Sequence, residues 1–262
     1  MRVDDREDWR GALDGVRRHE ATEVLMAPIR RTESGAAAFL GLAESQRQYW
    51  IKPLGNPQGD QILVTEQLVS AAGRLIGAPV RPTALIEIPE ELSGWKYGEV
   101  HRLSAGIAHG SLNLEFADVI DELLYTSDDD NARRQPALAA LWDWCLGEDE
   151  QWLYDLRDDH SIWTFDHGLW LGGGFGWSGD QLAHDVAANW WWTEPVTGMD
   201  KAAFGDVADR IEAVTAEQLI EVVAGVPVAW DVPPFELETV AWFLYRRRTP
   251  VANRLRAAGR AG

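Results

Sequence analysis

The sequence predicts an α+β fold in which a strand-rich N-terminal lobe precedes a helical C-terminal lobe. Short apolar segments with strand-like alternation cluster before about residue 90, and later apolar residues mostly follow helical spacing. No internal repeat or low-complexity linker divides the 262 residues, so one fold of two lobes is expected. We predict that the N-terminal lobe covers residues 1–92 and that the helical lobe covers residues 93–262.

The N-terminal lobe is predicted to contain four strands and one helix. The strands are expected at residues 23–29, 36–42, 48–52 and 83–88. In the third of these, Trp50 and Lys52 lie on one face because side chains alternate along a strand. A helix is predicted at residues 62–76, where Gly77 and Pro79 supply the stop signal.

The C-terminal lobe is predicted to be mainly helical. Residues 116–125 form an amphipathic pattern, and Pro136 suits the first turn of a helix that reaches about residue 146. Thr215 and Gln218 match a capping box. One short strand is expected at residues 161–165, and the remaining helices are expected near residues 200–213, 215–224 and 235–248.

Composition excludes several classes of protein. Hydrophobic residues make up 46% and charged residues 25%, which argues against a disordered chain. The net charge of −18 argues against a general nucleic-acid binder, because an acidic surface repels phosphate. The single cysteine, Cys145, excludes an internal disulfide and a multi-cysteine zinc site. No apolar stretch approaches the ~20 residues of a membrane span, and the charged N-terminus lacks a signal-peptide pattern. We therefore expect a cytoplasmic protein; the sequence does not indicate its oligomeric state.

Tryptophan is unusually frequent, with 14 residues of which three, Trp190, Trp191 and Trp192, are contiguous. Exposed tryptophans would suit a sugar-binding or partner-binding surface. The favoured interpretation is a core that uses large aromatic side chains, because most of these tryptophans lie inside apolar patterns.

Five elements that suit phosphoryl transfer occur in order along the chain. They are a Gly-containing turn between two strands, Lys52 at the end of a strand, Glu66 in the first turn of the next helix, an acidic loop at residues 147–151, and Asp166 directly after a short strand. Phosphoryl transfer needs a cation on the phosphates, an anion that orients this cation, a carboxylate near the acceptor hydroxyl and oxygen ligands for Mg²⁺. Each element alone also has an ordinary structural explanation, such as a surface lysine or a solvated acidic loop.

The stretch YWIKPLGNPQGDQILVTEQLVSAAGRLIGAPVRPTALIEIPEEL, residues 49–92, resembles the N-lobe of HipA-like kinases, the small stand-alone branch related to the HipA toxin kinase. The segment HGS at 109–111 resembles a Phe-Gly-Ser element of that branch. The segment LWDWCLGEDEQWLYDLRDDHSIWTFDHG, residues 141–168, is similar to its catalytic and metal-binding region. The likeness extends over roughly residues 23–250.

This resemblance implies a protein-kinase-like two-lobed fold with ATP and Mg²⁺ in the cleft between the lobes. Lys52 would contact the α- and β-phosphates, and Glu66 would pair with Lys52. Asp149 would be the catalytic carboxylate, and Asp166 would bind Mg²⁺; Gln151, the nearest amide after Asp149, is a weaker candidate for a metal ligand. The resemblance also places two backbone segments: the turn at Ser34 and Gly35 would cover the nucleotide, and the peptide near Glu87, Ile88 and Pro89 would be the hinge that contacts adenine.

The catalytic loop departs from the family pattern. Glu150 occupies the position where the family commonly has an arginine, and no asparagine follows; Gln151 and Asp155 are the nearest candidates for its role. Two functions are therefore weighed: a kinase that phosphorylates a Ser or Thr hydroxyl of a protein substrate or of its own chain, and a nucleotide-binding pseudokinase that acts as a regulatory module. A Trp-rich interaction or carbohydrate-binding protein is a third alternative.

Overall fold

A five-stranded barrel forms the N-terminal part of the computed structural model, which describes residues 3–17, 20–32, 35–97, 101–174, 176–192 and 197–261. The first elements are β1 (Glu23–Arg31), β2 (Phe39–Ala43), β3 (Gln48–Lys52), α1 (Gln61–Ile76) and β4 (Thr83–Ile88). A small hairpin follows, made of β5 (Lys96–Tyr97) and β6 (His101–Arg102), and then β7 (Gly106–Leu112). The barrel order is β1-β2-β3-β7-β4, and a parallel pairing of β1 with β4 closes it.

The last barrel strand in the chain, β7, lies beyond the predicted boundary between the lobes. β7 pairs with both β3 and β4, so a boundary after residue 92 would separate it from its two partners. The strand-rich part therefore extends to Leu112. A side chain at Gly110 would meet Ile86, since a Cβ there would lie 2.7 Å from Ile86 Cγ1. Close strand packing thus requires glycine here, and glycine weakens the sequence signal of a strand.

Helix α1 joins the barrel to the helical region. It ends at Gly77, whose φ of 72° gives the left-handed cap that glycine accepts without strain. At Gly73 the helix approaches its neighbours closely, because an added Cβ would lie 2.5 Å from Val80 Cγ2 and 2.9 Å from Leu141 Cδ2. The predicted helix at residues 62–76 is confirmed, and its inner face is buried between barrel and C-terminal helices.

A three-stranded sheet follows, and it includes part of the segment for which the sequence indicated an amphipathic pattern. Its strands are β8 (Ala117–Ile120), β9 (Trp152–Asp155) and β10 (Ser161–Thr164), in the order β10-β9-β8. The start of the amphipathic segment 116–125 is strand β8, which gains its backbone partners from β9, more than thirty residues later in the chain. Such a distant pairing leaves no local signal, and Phe116 and Val119 of this segment are exposed.

The first long C-terminal helix, α2 (Asn131–Trp144), begins five residues before Pro136 rather than at it. A proline inside a helix leaves the carbonyl four residues earlier without its usual donor. Here that carbonyl belongs to Ala132, and it accepts a hydrogen bond from Asp200 N at 2.8 Å. The tertiary contact explains why the helix continues through Pro136.

The remaining helices are α3 (Gly179–Asp185), α4 (Lys201–Ala213), α5 (Ala216–Ala224) and α6 (Pro234–Ala261). The capping box of Thr215 and Gln218 is confirmed at the start of α5. Helix α6 extends well past the predicted end at residue 248 and packs along α4. Among the described helices, none has the length and apolar character needed to cross a bilayer.

The tryptophans mainly build the core, as predicted. Trp142, Trp152, Trp170 and Trp192 are nearly inaccessible and pack with ring centroids 5.1–6.4 Å apart. Trp192 belongs to the contiguous triplet, while Trp190 and Trp191 are half-buried at its edge. This cluster lies in the main hydrophobic core of the molecule.

Candidate active site

A cleft of about 270 Å³ opens between the barrel and the β8–β10 sheet. Strand β7 is the last barrel strand, and the segment after it leads directly into β8. The described residues that line the cleft come from both sheets and from α1: Thr32, Ala38, Trp50, Lys52, Glu66, His109, Ser111, Leu112, Leu114, Val119, Gln151, Leu153, Phe165 and Asp166.

Neighbouring positions of β3 and β7 form the barrel side of the cleft. Trp50 pairs with Ser111, and Lys52 pairs with His109. Directly paired residues of an antiparallel ladder point to the same face, as do residues two apart on one strand. The four side chains therefore form one patch, with the cation and the imidazole at one end and the indole and hydroxyl at the other.

Lys52 is the centre of the site. Its Nζ donates to Glu66 Oε1 on α1 and to Asp166 Oδ1, which follows β10. Burial alone would lower the pKa of this ammonium, but the carboxylates of Asp166 and Glu66 outweigh it and raise the pKa above the ordinary lysine value. Lys52 is therefore a fixed cation, and the predicted Lys52–Glu66 ion pair is present at the cleft wall.

Glu66 is held from two sides. Its Oε2 accepts a hydrogen bond from the backbone N–H of His167 at 3.0 Å. Burial favours the neutral acid, but the charge of Lys52 and the side chain of His167 prevail and keep the pKa of Glu66 well below the usual range. At Gly168 an added Cβ would lie 3.1 Å from Ile62 Cβ and 3.4 Å from Lys52 Nζ. The glycine therefore allows the segment after Asp166 to approach α1.

His167 was not assigned a role from the sequence. Its ring is buried, with Nε2 2.9 Å from Thr164 Oγ1 and Nδ1 3.4 Å from Ser70 Oγ. These contacts tie the end of β10 to α1. They fix the backbone at Asp166, which has a left-handed φ of 56° and a side chain that is one-third exposed to the cleft.

His109 is a second site residue whose role the sequence left open. It is 1% exposed, and its Nε2 has no hydrogen-bond partner among the described residues. Burial lowers the pKa of His109 to about 4, although the nearby charge of Glu66 opposes this. The ring is therefore neutral at physiological pH. The signal that could have identified it is its place in the HGS segment, beside the cleft-lining Ser111.

The acidic loop reaches the cleft through Gln151. Gln151 lines the cleft, and its Nε2 donates to Asp149 Oδ2 at 2.6 Å. Asp149 itself is exposed, with a φ of 57°, and lies outside the described lining of the cleft. The expected convergence of four residues is thus observed directly for Lys52, Glu66 and Asp166. Asp149 contacts Gln151, which lines the same cleft as these three residues.

Glu150 and Asp155 are also outside the described cleft lining. Glu150 is half-buried. Asp155 belongs to β9, and its Oδ1 accepts a hydrogen bond from Arg157 N at 2.9 Å, so it caps the turn between β9 and β10. Asp155 therefore does not take the role of the missing asparagine, for which the sequence offered it as an alternative to Gln151.

The described residues on either side of the β1–β2 turn reach the cleft. Ser34 is outside the described residues, and Gly35 is exposed within the turn. Thr32 and Ala38 flank the turn, line the cleft and are joined by a hydrogen bond from Thr32 N to Ala38 O at 2.9 Å. The buried Asn56 donates from Nδ2 to Ala36 O at 2.6 Å. The Gly-Asn-Pro-Gln-Gly segment therefore anchors this turn.

The predicted hinge needs correction. Glu87 and Ile88 pair with Ile107 and Gly106 at the far end of β7, and they line a separate surface depression instead of the cleft. The prediction took β4 as the last barrel strand because β7 was missed. The segment that leaves the barrel beside the cleft begins instead at Leu112, and Leu112 and Leu114 both line the cleft.

The arrangement is suited to a polyanionic ligand. A buried cation faces a cavity, and one carboxylate behind it fixes its position. A second, partly exposed carboxylate and the amide of Gln151 offer hard oxygen ligands on the opposite wall. The other end of the cleft is apolar and aromatic, as is typical of small-molecule sites.

No family model matches the chain, and no curated protein matches its sequence. Solved structures do match. A Helicobacter pylori proinflammatory kinase, CtkA, is 8% identical over 92% of this chain and 96% of its own, with a TM-score of 0.58. The Golgi casein kinase is 9% identical over 98% of this chain and 77% of its own, with a TM-score of 0.48. The Golgi casein kinase with Mn/ADP bound is 8% identical over 97% of this chain and 77% of its own, with a TM-score of 0.43.

The similarity to CtkA covers nearly the whole of both chains. The molecule therefore has a protein-kinase-like two-lobed fold, with a strand-rich N-terminal lobe and a helical C-terminal lobe. At 8% identity this comparison describes the fold and not the activity.

Proposed function

We propose that this protein is an ATP-dependent phosphotransferase of the HipA-like kind, which transfers the γ-phosphoryl group to a Ser or Thr hydroxyl of a protein or of its own chain. The observation that carries the proposal is Lys52, held between Glu66 and Asp166 on the cleft wall. The kinase-like fold supports it. The single cysteine, Cys145, is buried and forms no internal disulfide, which fits the cytoplasm as the proposed compartment.

Binding of the triphosphate is assigned to Lys52. Its ammonium would contact the α- and β-phosphate oxygens, while Glu66 keeps it oriented toward the cleft. Because the carboxylates already fix Lys52, little side-chain ordering is needed when the ligand binds. Thr32 and Ala38, which line the cleft on either side of the β1–β2 turn, support a role for this turn in covering the phosphates.

The oxygen atoms that Asp166 and Gln151 contribute to the cleft are of the type that would hold a magnesium ion. The amide nitrogen of Gln151 faces Asp149, so its carbonyl oxygen is directed away from that carboxylate. Asp166 is partly exposed and contributes carboxylate oxygens, the ligand type that Mg²⁺ prefers. Asp166 and Gln151 would therefore hold the ion, which when bound would neutralise charge on the phosphates.

In the proposed reaction, the acceptor hydroxyl oxygen forms a bond to the γ-phosphorus as the bond to the β–γ bridging oxygen breaks and ADP leaves. The hydroxyl proton passes to the carboxylate of Asp149. The hydrogen bond from Gln151 orients this carboxylate, and its exposed position leaves it open to a hydroxyl presented by another protein.

A pseudokinase is the alternative, favoured by one observation: Asp149 lies outside the cleft lining while the phosphate-binding groups are in place. In that case the protein would bind nucleotide and transfer nothing. The two functions share Lys52 and Asp166 and differ only at the catalytic loop.

Mass spectrometry of the intact protein and of generic acceptor proteins, after incubation with ATP and Mg²⁺, tests the proposal. We expect phosphoryl groups to be transferred by the wild type. Asp149→Ala should abolish transfer while leaving ATP binding almost unchanged, because this carboxylate acts mainly in the transition state. Asp158→Ala, which removes an exposed acid from the β9–β10 turn, is the matched control and should remain active. Tight ATP binding without any transfer would support the pseudokinase instead.

A further inference from the structure

We propose that Trp50 is a stacking platform for the nucleobase and that the cleft accepts guanine as well as adenine nucleotides. This inference rests on the proposed function, since it concerns the same nucleotide site. It names the group that binds the base and the class of nucleoside triphosphates that the site can use.

The position of Trp50 supports the first part. It lies two residues before Lys52 on the same face of β3, so the two Cα atoms are separated by about 7 Å along the strand. Both line the cleft, and the apolar side chains of Val119 and Leu153 line it from the β8–β10 sheet. A ligand whose phosphates reach Lys52 would therefore place a flat base between the indole and these aliphatic groups.

The indole is already supported on one side. The guanidinium of Arg30 lies over the Trp50 ring, 5.1 Å from its centroid, and Arg30 is outside the described lining of the cleft. Arg30 on β1 and Trp50 on β3 are both paired with Leu40 of β2, so the three belong to one cross-strand row. The cation supports one face of the indole and leaves the cleft side to a base.

Base selectivity depends on the segment that leaves β7, and most of its backbone groups are engaged. Leu112 N donates to Pro82 O at 2.8 Å, and Asn113 N donates to Gln48 O at 2.9 Å. The buried Arg81 donates to both carbonyls, to Leu112 O and to Asn113 O at 3.3 Å each. Among the described residues, no backbone hydrogen bond engages the next residue, Leu114.

These contacts would weaken the selective recognition of adenine. Adenine presents an amino donor where guanine presents a carbonyl acceptor. A carbonyl that already accepts from a guanidinium has one lone pair occupied and carries less negative charge for an incoming amino group. Ser111 adds a hydroxyl beside Trp50, and a hydroxyl can donate or accept as the base requires. Stacking, which does not distinguish the purines, would then supply most of the base affinity.

Isothermal titration calorimetry with the Mg²⁺ complexes of ATP, GTP and inorganic tripolyphosphate tests both parts. In the wild type we expect the Kd values for ATP and GTP to agree within about tenfold. Trp50→Leu should weaken both nucleotides by about tenfold to a hundredfold, the range for loss of one stacked base. It should leave tripolyphosphate binding unchanged, because this probe has no base. Trp50→Phe should retain most of the nucleotide affinity.

Trp95→Leu is the control, because Trp95 is 49% exposed and lies outside the described cleft lining. A preference for ATP over GTP of a hundredfold or more would overturn the proposed base tolerance and leave the phosphotransferase proposal intact. Nucleotide binding to Trp50→Leu as tight as to the wild type would overturn the platform. A wild type that binds neither nucleotide would overturn this inference and the proposed function together.

Discussion

The cleft and the helical lobe each contain a buried charge cluster, and the two differ in composition and in access to solvent. In the cleft, two carboxylates face one ammonium, and one carboxylate is partly exposed. In the helical lobe the fully buried Asp143 of α2 faces two guanidiniums of α6, those of Arg247 and Arg254, at 2.6–3.0 Å.

The cluster around Asp143 is closed. Arg247 also donates to the carbonyls of Trp144 and Ala188 at 3.1 and 2.9 Å, and Trp190 N donates to Asp143 at 3.3 Å. Burial lowers the pKa of Arg247 to about 10 although Asp143 opposes this. Burial of charge is therefore not by itself a sign of function. The cleft cluster is distinguished by an adjoining cavity, which all three of its charged residues line.

The largest effect is expected from Asp143→Ala. The substitution leaves two guanidiniums without their carboxylate, one of them 1% exposed, and should lower the free energy of unfolding by about 3–5 kcal/mol. Urea denaturation followed by circular dichroism measures it. Asp206→Ala, which removes an exposed partner of Arg133, should cost less than about 1 kcal/mol. Equal losses for both variants would remove the contrast between the closed cluster and an ordinary surface pair.

Lys52→Ala should act mainly on ligand binding. We expect ATP affinity to fall about a hundredfold, or about 2.7 kcal/mol, by calorimetry, while the protein stays folded. The buried Glu66 loses its cation, so stability should also fall, but folding should survive because Asp166 can be hydrated and Glu66 keeps the hydrogen bond from His167 N. The exposed Lys96 gives the control Lys96→Ala. An unchanged Kd for ATP would remove Lys52 from the site.

The buried His109 should make the free energy of unfolding depend on pH. Its pKa of about 4 in the folded protein lies below the value of about 6.5 for an unfolded chain, so the unfolded state binds more protons between these limits. Stability should therefore fall as the pH decreases through this window, by about 2 kcal/mol between about pH 7 and about pH 5. His109→Phe removes the titrating group. A wild type and variant with parallel stability profiles would contradict the prediction.

The smallest effect on stability is expected from Asp166→Asn, which keeps the shape and removes one of two carboxylates around Lys52. Thermal stability without nucleotide should stay similar or rise. The Mg²⁺-dependent part of ATP binding should largely vanish, as titration with and without Mg²⁺ would show. If the Mg²⁺ dependence persisted, the role of Asp166 would be structural.

The N-terminal elements were predictable because each has a local signal. Alternation marks β3, and helical spacing with Gly77 marks α1. Strand β7 was missed because Gly106 and Gly110 weaken its pattern and its stability comes from pairing with β3 and β4. Because β7 was missed, the hinge was predicted after β4 instead of after β7.

The charged residues of the site could be predicted from the sequence, but their packing against one another could not. Lys52, Glu66 and Asp166 were found because a cation and two carboxylates stand at the ends of elements that a kinase-like fold brings together. Their direct contact, and the bracing by His167, depend on how closely α1 approaches Gly168. That distance is set by tertiary packing, which no local pattern encodes.

The tryptophan cluster of the helical lobe has a spectroscopic consequence. Trp142 packs against Trp152, Trp170 and Trp192, and the neighbouring Trp190 donates from Nε1 to Gly147 O at 2.8 Å, at the start of the acidic loop. Indoles held at such short range in fixed orientations give strong near-ultraviolet circular dichroism, which disappears when packing loosens. This signal would therefore report the order of the loop that carries Asp149 and Gln151 without an added probe.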